Sequence, residues 1–116
     1  MSAEISQRRS SVAPYEAEQI TFYTQAGRLH GHVALPQWLF AELGRQGFKG
    51  ATMTGGLVGE GHDGIIHTVT WLDDVEQPVQ ITAVAASAQI DHLLASLEQH
   101  HLGVFYIRLP VTAGVI

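Results

Sequence analysis

The sequence predicts an α+β sandwich of order β-α-β-β-α-β, and three observations carry that prediction. Two stretches repeat apolar residues at helical spacing: Leu35, Leu39 and Leu43, then Ile90, Leu93, Leu94 and Leu97. Four stretches rich in β-branched and aromatic residues flank them, beginning near Glu18, Ala51, Pro78 and Val104. The chain has 116 residues, the size of one domain, and its 46% hydrophobic content is enough for a single core.

The elements follow in order. Residues 1–17 are rich in Ser, Gln, Arg and Glu without apolar periodicity and are expected to form a flexible arm. In 18–25, Ile20 and Phe22 alternate with Thr21 and Tyr23, which predicts the first strand. Residues 26–32 read as a Gly-punctuated loop. Pro36 suits the first turn of a helix, where its missing donor is not needed, and Gly47 is a natural stop at the far end. The second strand is expected in 51–57. Residues 58–64 hold three glycines and no apolar stripe, so they predict a loop. Residues 65–72 alternate again as the arm of a hairpin, and the acidic 73–77 turn the chain. Pro78 opens a central strand, Ser87 is placed to cap the second helix, and 104–109 supply the last strand.

Without the hairpin arm this is the ferredoxin-like split βαβ arrangement, four antiparallel strands with two helices on one face. The domain is expected at 18–110, with a long loop at about 58–77 and a tail at 111–116. The second sheet face has no helix left to cover it. Its residues, expected to include some of Phe22, Ile81, Val104 and Tyr106, need covering by other subunits.

Charge and composition exclude several functions. Eleven acids against six Lys and Arg give a formal charge of −5, which argues against nucleic acid or an anionic membrane as partner. There is no cysteine, hence no disulfide, thiolate metal site or cysteine nucleophile. The N-terminus lacks the apolar core of a signal peptide, and no apolar run approaches the ~18 residues of a membrane span, so a cytoplasmic protein is expected. Glu60, Asp63 and His67 sit near a loop, as catalytic groups often do, but almost any loop of this composition supplies such a trio. No nucleophile elbow, Walker loop or H-E-x-x-H helix is present, and the protein is not expected to be an enzyme.

Seven histidines outnumber the six permanent cations. His30 and His32 share one loop, and His62 and His67 flank the Gly-rich segment, making these four the candidate metal ligands. His100 and His101 lie where a partly charged imidazole complements a helix C-terminus. Trp38 reads as a core residue. Ile66, Val69 and Trp71 offer either a partner-binding edge or packing within an assembly.

The pattern Gly47-Phe48-Lys49-Gly50-Ala51-Thr52, then Gly56-Leu57-Val58-Gly59-Glu60-Gly61, Ile66-His67-Thr68 and Pro78-Val79, resembles a bacterial PII-like family, domain of unknown function 190, within the PII superfamily of signalling proteins. The resemblance runs from about Glu18 to Leu109. It implies a cytoplasmic homotrimer with effector sites in the clefts between subunits. It further implies a long loop that docks on a membrane transporter or an enzyme, and an adenine nucleotide or small anion as effector. Carried onto this sequence, the effector-binding candidates are Gly56, Gly59, Gly61, His62 and Arg108, with Arg28 as a further phosphate partner. Glu60, His62 and Asp63 depart from the PII pattern, and the segment at 101–103 is short and lacks lysine. A desolvated triphosphate without paired cations is costly, so a less charged effector than ATP is expected. Two other classes stay open: a divalent-metal-binding trimer like the cation-tolerance proteins, which share the fold, and a non-enzymatic assembly protein.

Overall fold

A computed structural model describes residues 10–55 and 77–116. In chain order the elements are β1 (Val12–Gln25), β2 (Leu29–His30), β3 (Val33–Ala34), α1 (Leu35–Arg45), β4 (Ala51–Gly55), β5 (Pro78–Ala85), α2 (Ser87–Glu98) and β6 (Phe105–Val115). Four strands form one antiparallel sheet in the order β4-β5-β1-β6. This is the predicted ferredoxin-like topology, with β2 and β3 as a small separate hairpin, β2 inside the 26–32 stretch expected to be loop and β3 just after it.

The pleat decides which side of the sheet is dry, because successive side chains point to opposite faces. Ile20 and Phe22 on β1 share a face with Ile81 and Ala83 on β5, and all four are buried. Leu39 and Leu43 of α1 and Ile90, Leu93 and Leu97 of α2 close over them in one core cluster. Each of these side chains, fully buried, contributes about 1.5–3 kcal/mol relative to exposure. Pro36 stands in the first turn of α1, and that helix closes with Phe48 N–H donating to Leu43 O at 3.1 Å, just past Gly47.

The opposite face carries Tyr23, Val84, Phe105, Ile107 and Leu109, and no described element lies over it. Val84, Phe105, Ile107 and Leu109 are each about 40% exposed, far more than core residues of the same type. The open face exists as expected, but the residues named for it lie on the other side. Phe22 and Ile81 lie under the helices, Tyr106 is in register with Phe22 with rings 6.3 Å apart, and Val104 packs against the core. A one-residue error of strand parity exchanges the two faces completely.

Three further expectations are corrected. β1 begins at Val12 and β6 runs to Val115, so 12–17 and most of 111–116 are strand rather than arm and tail. The two segments satisfy each other: Val12, Tyr15, Glu16 and Ala17 pair with Val115, Ala113, Thr112 and Val111. Ser87 does not cap α2. The N-cap is Ala86, without a side-chain cap bond, and the Ser87 hydroxyl accepts from Arg108 instead.

Leu39 is fully buried between α1 and the sheet, so Leu39→Ala is expected to lower unfolding free energy by about 2–5 kcal/mol. Urea denaturation checks this. A change below about 1 kcal/mol would mean that the helix does not seal the core as described.

Candidate functional site

Four strand ends meet at one end of the sheet. β1 finishes there at Gln25, which pairs with Pro78, the first residue of β5. β4 finishes at Gly55 opposite Val79, and β6 starts at Phe105 opposite Tyr23. The connection from β1 to α1, the base of the long loop and the linker from α2 to β6 therefore converge, although they are far apart in sequence.

The backbone at this end is specialised. Gly55 has a φ of 96°, and a Cβ there would stand 2.5 Å from the Pro78 carbonyl oxygen, so no other residue fits this close crossing. Ala26 N–H donates to Gln77 O at 2.9 Å, holding the other side of the loop base to β1. In the linker, His101 (φ 50°) and Gly103 (φ 66°) are both left-handed. Arg28 reaches across to this linker, donating Nη2 to Leu102 O at 2.5 Å and Nη1 to Gly103 O at 3.2 Å.

Beside Arg28 lies a cluster of three rings. His30 is 4.4 Å from Trp38, Trp38 is 4.9 Å from His100, and His30 is 5.3 Å from His100, centroid to centroid. Trp38 also packs against the core, as predicted, but its other contacts were not foreseen. Beside the same linker an open groove of about 680 Å³ runs between α2 and the start of β6, with Leu94, Leu97, Val104 and Tyr106 on its walls and Glu98 and His101 on its rim.

The residues singled out from sequence divide sharply. Gly56, Gly59, Gly61, His62, His67 and Trp71 lie outside the described residues, as does the hairpin arm at 65–72. His30 meets His100 rather than His32, and among the described residues no group of three His, Asp or Glu side chains is placed to hold a metal. Arg108 lies opposite Ile20, five residues down β1 from Gln25, or about 17 Å from the loop end at strand rise. Its Nε donates to Glu18 at 2.6 Å and its Nη2 to Asp91 at 2.7 Å, with longer bonds to the Ser87 carbonyl and hydroxyl. Within one chain Arg108 therefore ties β6 to β1 and α2, away from the loop base.

The family of DUF190, described as "Uncharacterized ACR", matches residues 17–111. The chain belongs to this family. No curated protein matches the chain. Among solved structures it is similar to CPII from Thiomonas intermedia K12, a nitrogen regulatory PII-like protein. CPII bound to ADP, AMP and acetate is 16% identical with a TM-score of 0.61, over 88% of this chain and 92% of that one. CPII bound to ADP, AMP and bicarbonate is 17% identical with a TM-score of 0.52, over 90% and 97%. A proposed PII-like signaling protein from Thermus thermophilus is 20% identical with a TM-score of 0.54, over 89% and 92%. Identities this low show a common fold.

In this DUF190 chain the two helices that carry the site are clasped by a polar bridge. Gln46 Nε2 donates to Glu42 Oε2 at 2.9 Å and to Ser96 Oγ at 2.8 Å, and Arg45 pairs with Glu42 Oε1. The Gln46 bond, with Arg45 adding to it, holds the Glu42 carboxyl below its ordinary range against the opposing effect of partial burial. A lowered carboxyl contributes stability above its unfolded value, near 4.5, and loses it as pH falls through the lower folded value. Glu42→Gln is therefore expected to reduce stability at neutral pH and to decline less steeply than wild type between about pH 5 and 3. Thermal melts across that range check it, and parallel curves for the two proteins would contradict it.

Proposed function

We propose that this chain is the protomer of a PII-like regulatory homotrimer that takes a small effector between subunits and acts on a partner through the segment at 58–77. The observation that carries this is the open sheet face. Tyr23, Val84, Phe105, Ile107 and Leu109 form an apolar surface on a fold shared with PII-like proteins, and covering it with two further copies leaves the helices outward and the strand ends in the clefts. The effector is an adenine nucleotide or a small anion, in line with the ADP, AMP and bicarbonate held by CPII. At a formal charge of −5 with six permanent cations, the chain favours a nucleoside monophosphate or bicarbonate over a triphosphate.

The mechanism is a population shift. An effector with unequal affinity for two loop conformations favours one, and the partner, a membrane transporter or an enzyme, reads that conformation. Gly56, Gly59, Gly61 and His62 are the proposed effector contacts at the loop base, and Arg108 would reach an effector only from a neighbouring copy. No chemical step is assigned to the protein itself. No helix among the described residues is long and apolar enough to cross a membrane, and the protein is proposed to act in the cytoplasm.

Calorimetry with AMP, ADP, ATP, a cyclic adenine nucleotide and bicarbonate tests this reading. AMP or bicarbonate is expected to bind more tightly than ATP. Failure of every one of them to bind at millimolar concentration would remove the effector from the account.

A further inference from the structure

The described arginines differ in what neutralises them. Arg45 pairs with Glu42, and Arg108 pairs with both Glu18 and Asp91. Arg28 has no carboxylate partner among the described residues, and its side chain bonds only to the carbonyl oxygens of Leu102 and Gly103. Carbonyl dipoles orient a guanidinium but do not cancel its charge. Arg28 is also half-buried, so water screens that charge less than it would at an open surface. A guanidinium carries five N–H donors in a fixed fork, of which these two bonds use two.

The surroundings favour an anion further. The linker that Arg28 grips ends in the left-handed residues His101 and Gly103, with Leu102 between them. The imidazoles of His30 and His100, 5.3 Å apart, come from the same two segments. All of this lies at the end of the sheet where Gly55 crosses Pro78, rather than about 17 Å away where Arg108 is already paired.

We infer that Arg28, held by the linker at 101–103, is the anion contact of the effector site, and that it takes a small oxyanion: the phosphate of a nucleoside monophosphate or free bicarbonate. Both present two oxygens to the fork of a guanidinium, the arrangement that binds such groups best. A single guanidinium is better matched to one or two negative charges than to the four of a triphosphate. This assignment rests on the effector reading above but replaces Arg108 with Arg28 as the permanent cation supplied by the loop end.

The test is calorimetry on wild type, Arg28→Gln and Arg45→Gln with AMP, adenosine and bicarbonate, each variant first melted without ligand. Arg28→Gln is expected to weaken AMP binding at least about tenfold and to leave adenosine unchanged, since the lost bond is to a charged group. Arg45→Gln is expected to keep AMP affinity within about threefold of wild type, because its guanidinium pairs with Glu42 on the same helix. Bicarbonate binding that is lost in Arg28→Gln identifies a free anion as sufficient; bicarbonate that fails to bind wild type assigns the site to the nucleotide phosphate. Unchanged AMP affinity in Arg28→Gln overturns the inference and leaves the effector reading standing, whereas no binding to wild type overturns both. If Arg28→Gln does not fold, fluorescence of Trp38 in a Trp71→Phe background decides the matter, because Trp38 contacts His30, two residues from Arg28. A saturable change on adding AMP supports the site, and its absence at concentrations where calorimetry shows binding overturns it.

Discussion

A single antiparallel sheet with helices on only one side is the constraint on which the rest of this molecule depends. The alternation along β1 and β5 commits Ile20, Phe22, Ile81 and Ala83 to the helices, and the same alternation commits Tyr23, Val84, Phe105, Ile107 and Leu109 to the other side. Neither set can be moved without moving the other, because the pleat couples them residue by residue. With both helices on one side and the small β2–β3 hairpin packed beside α1, the chain has no remaining described element to spread over the second face. The proposed assembly follows from that imbalance, and the clefts that would receive an effector follow from the assembly.

The same topology explains why the candidate site is built from distant segments. Each helix returns the chain along the sheet, so the β1–α1 connection and the α2–β6 linker arrive at one end together with Gly55 and Pro78. Arg28 and the His30, Trp38 and His100 rings bridge these arrivals. At the middle of the sheet the electrostatics are closed, since Arg108 is satisfied by two carboxylates. At the loop end Arg28 bonds only to carbonyl oxygens among the described residues. An acidic protein in which one guanidinium has no carboxylate partner among the described residues at this place has an asymmetry suited to a small anion.

Much of this architecture was legible in the sequence. The Leu35, Leu39, Leu43 stripe and the Ile90, Leu93, Leu97 stripe gave both helices, and the β-branched runs gave all four sheet strands in order. What failed was of two kinds. Strand parity is a matter of one residue, and Phe22 and Tyr23 are both aromatic, so composition alone could not say which of them faces the helices. Pairing at long range was the other: 12–17 looks polar by itself and becomes strand only because 111–115 lies beside it. The partners of Arg108 and the meeting of His30 with His100 are likewise contacts between residues distant in the chain, which no local spacing reveals, although the order of elements already brings their segments together. The Gly-rich candidates at 56–62 rest on resemblance and lie outside the described residues. The described site adds Gly55, whose close crossing with the Pro78 carbonyl no local spacing reveals.

The central claim is that the helix-free face is covered by copies of the same chain, and the mass of the protein in dilute solution tests it most directly. Light scattering of the full chain, followed through serial dilution into the low micromolar range, is predicted to give about 38 kDa, three chains of 12.6 kDa. A stable species of 12.6 kDa at every concentration would contradict the account, for the apolar face would then be tolerated in water and the clefts between subunits would not exist.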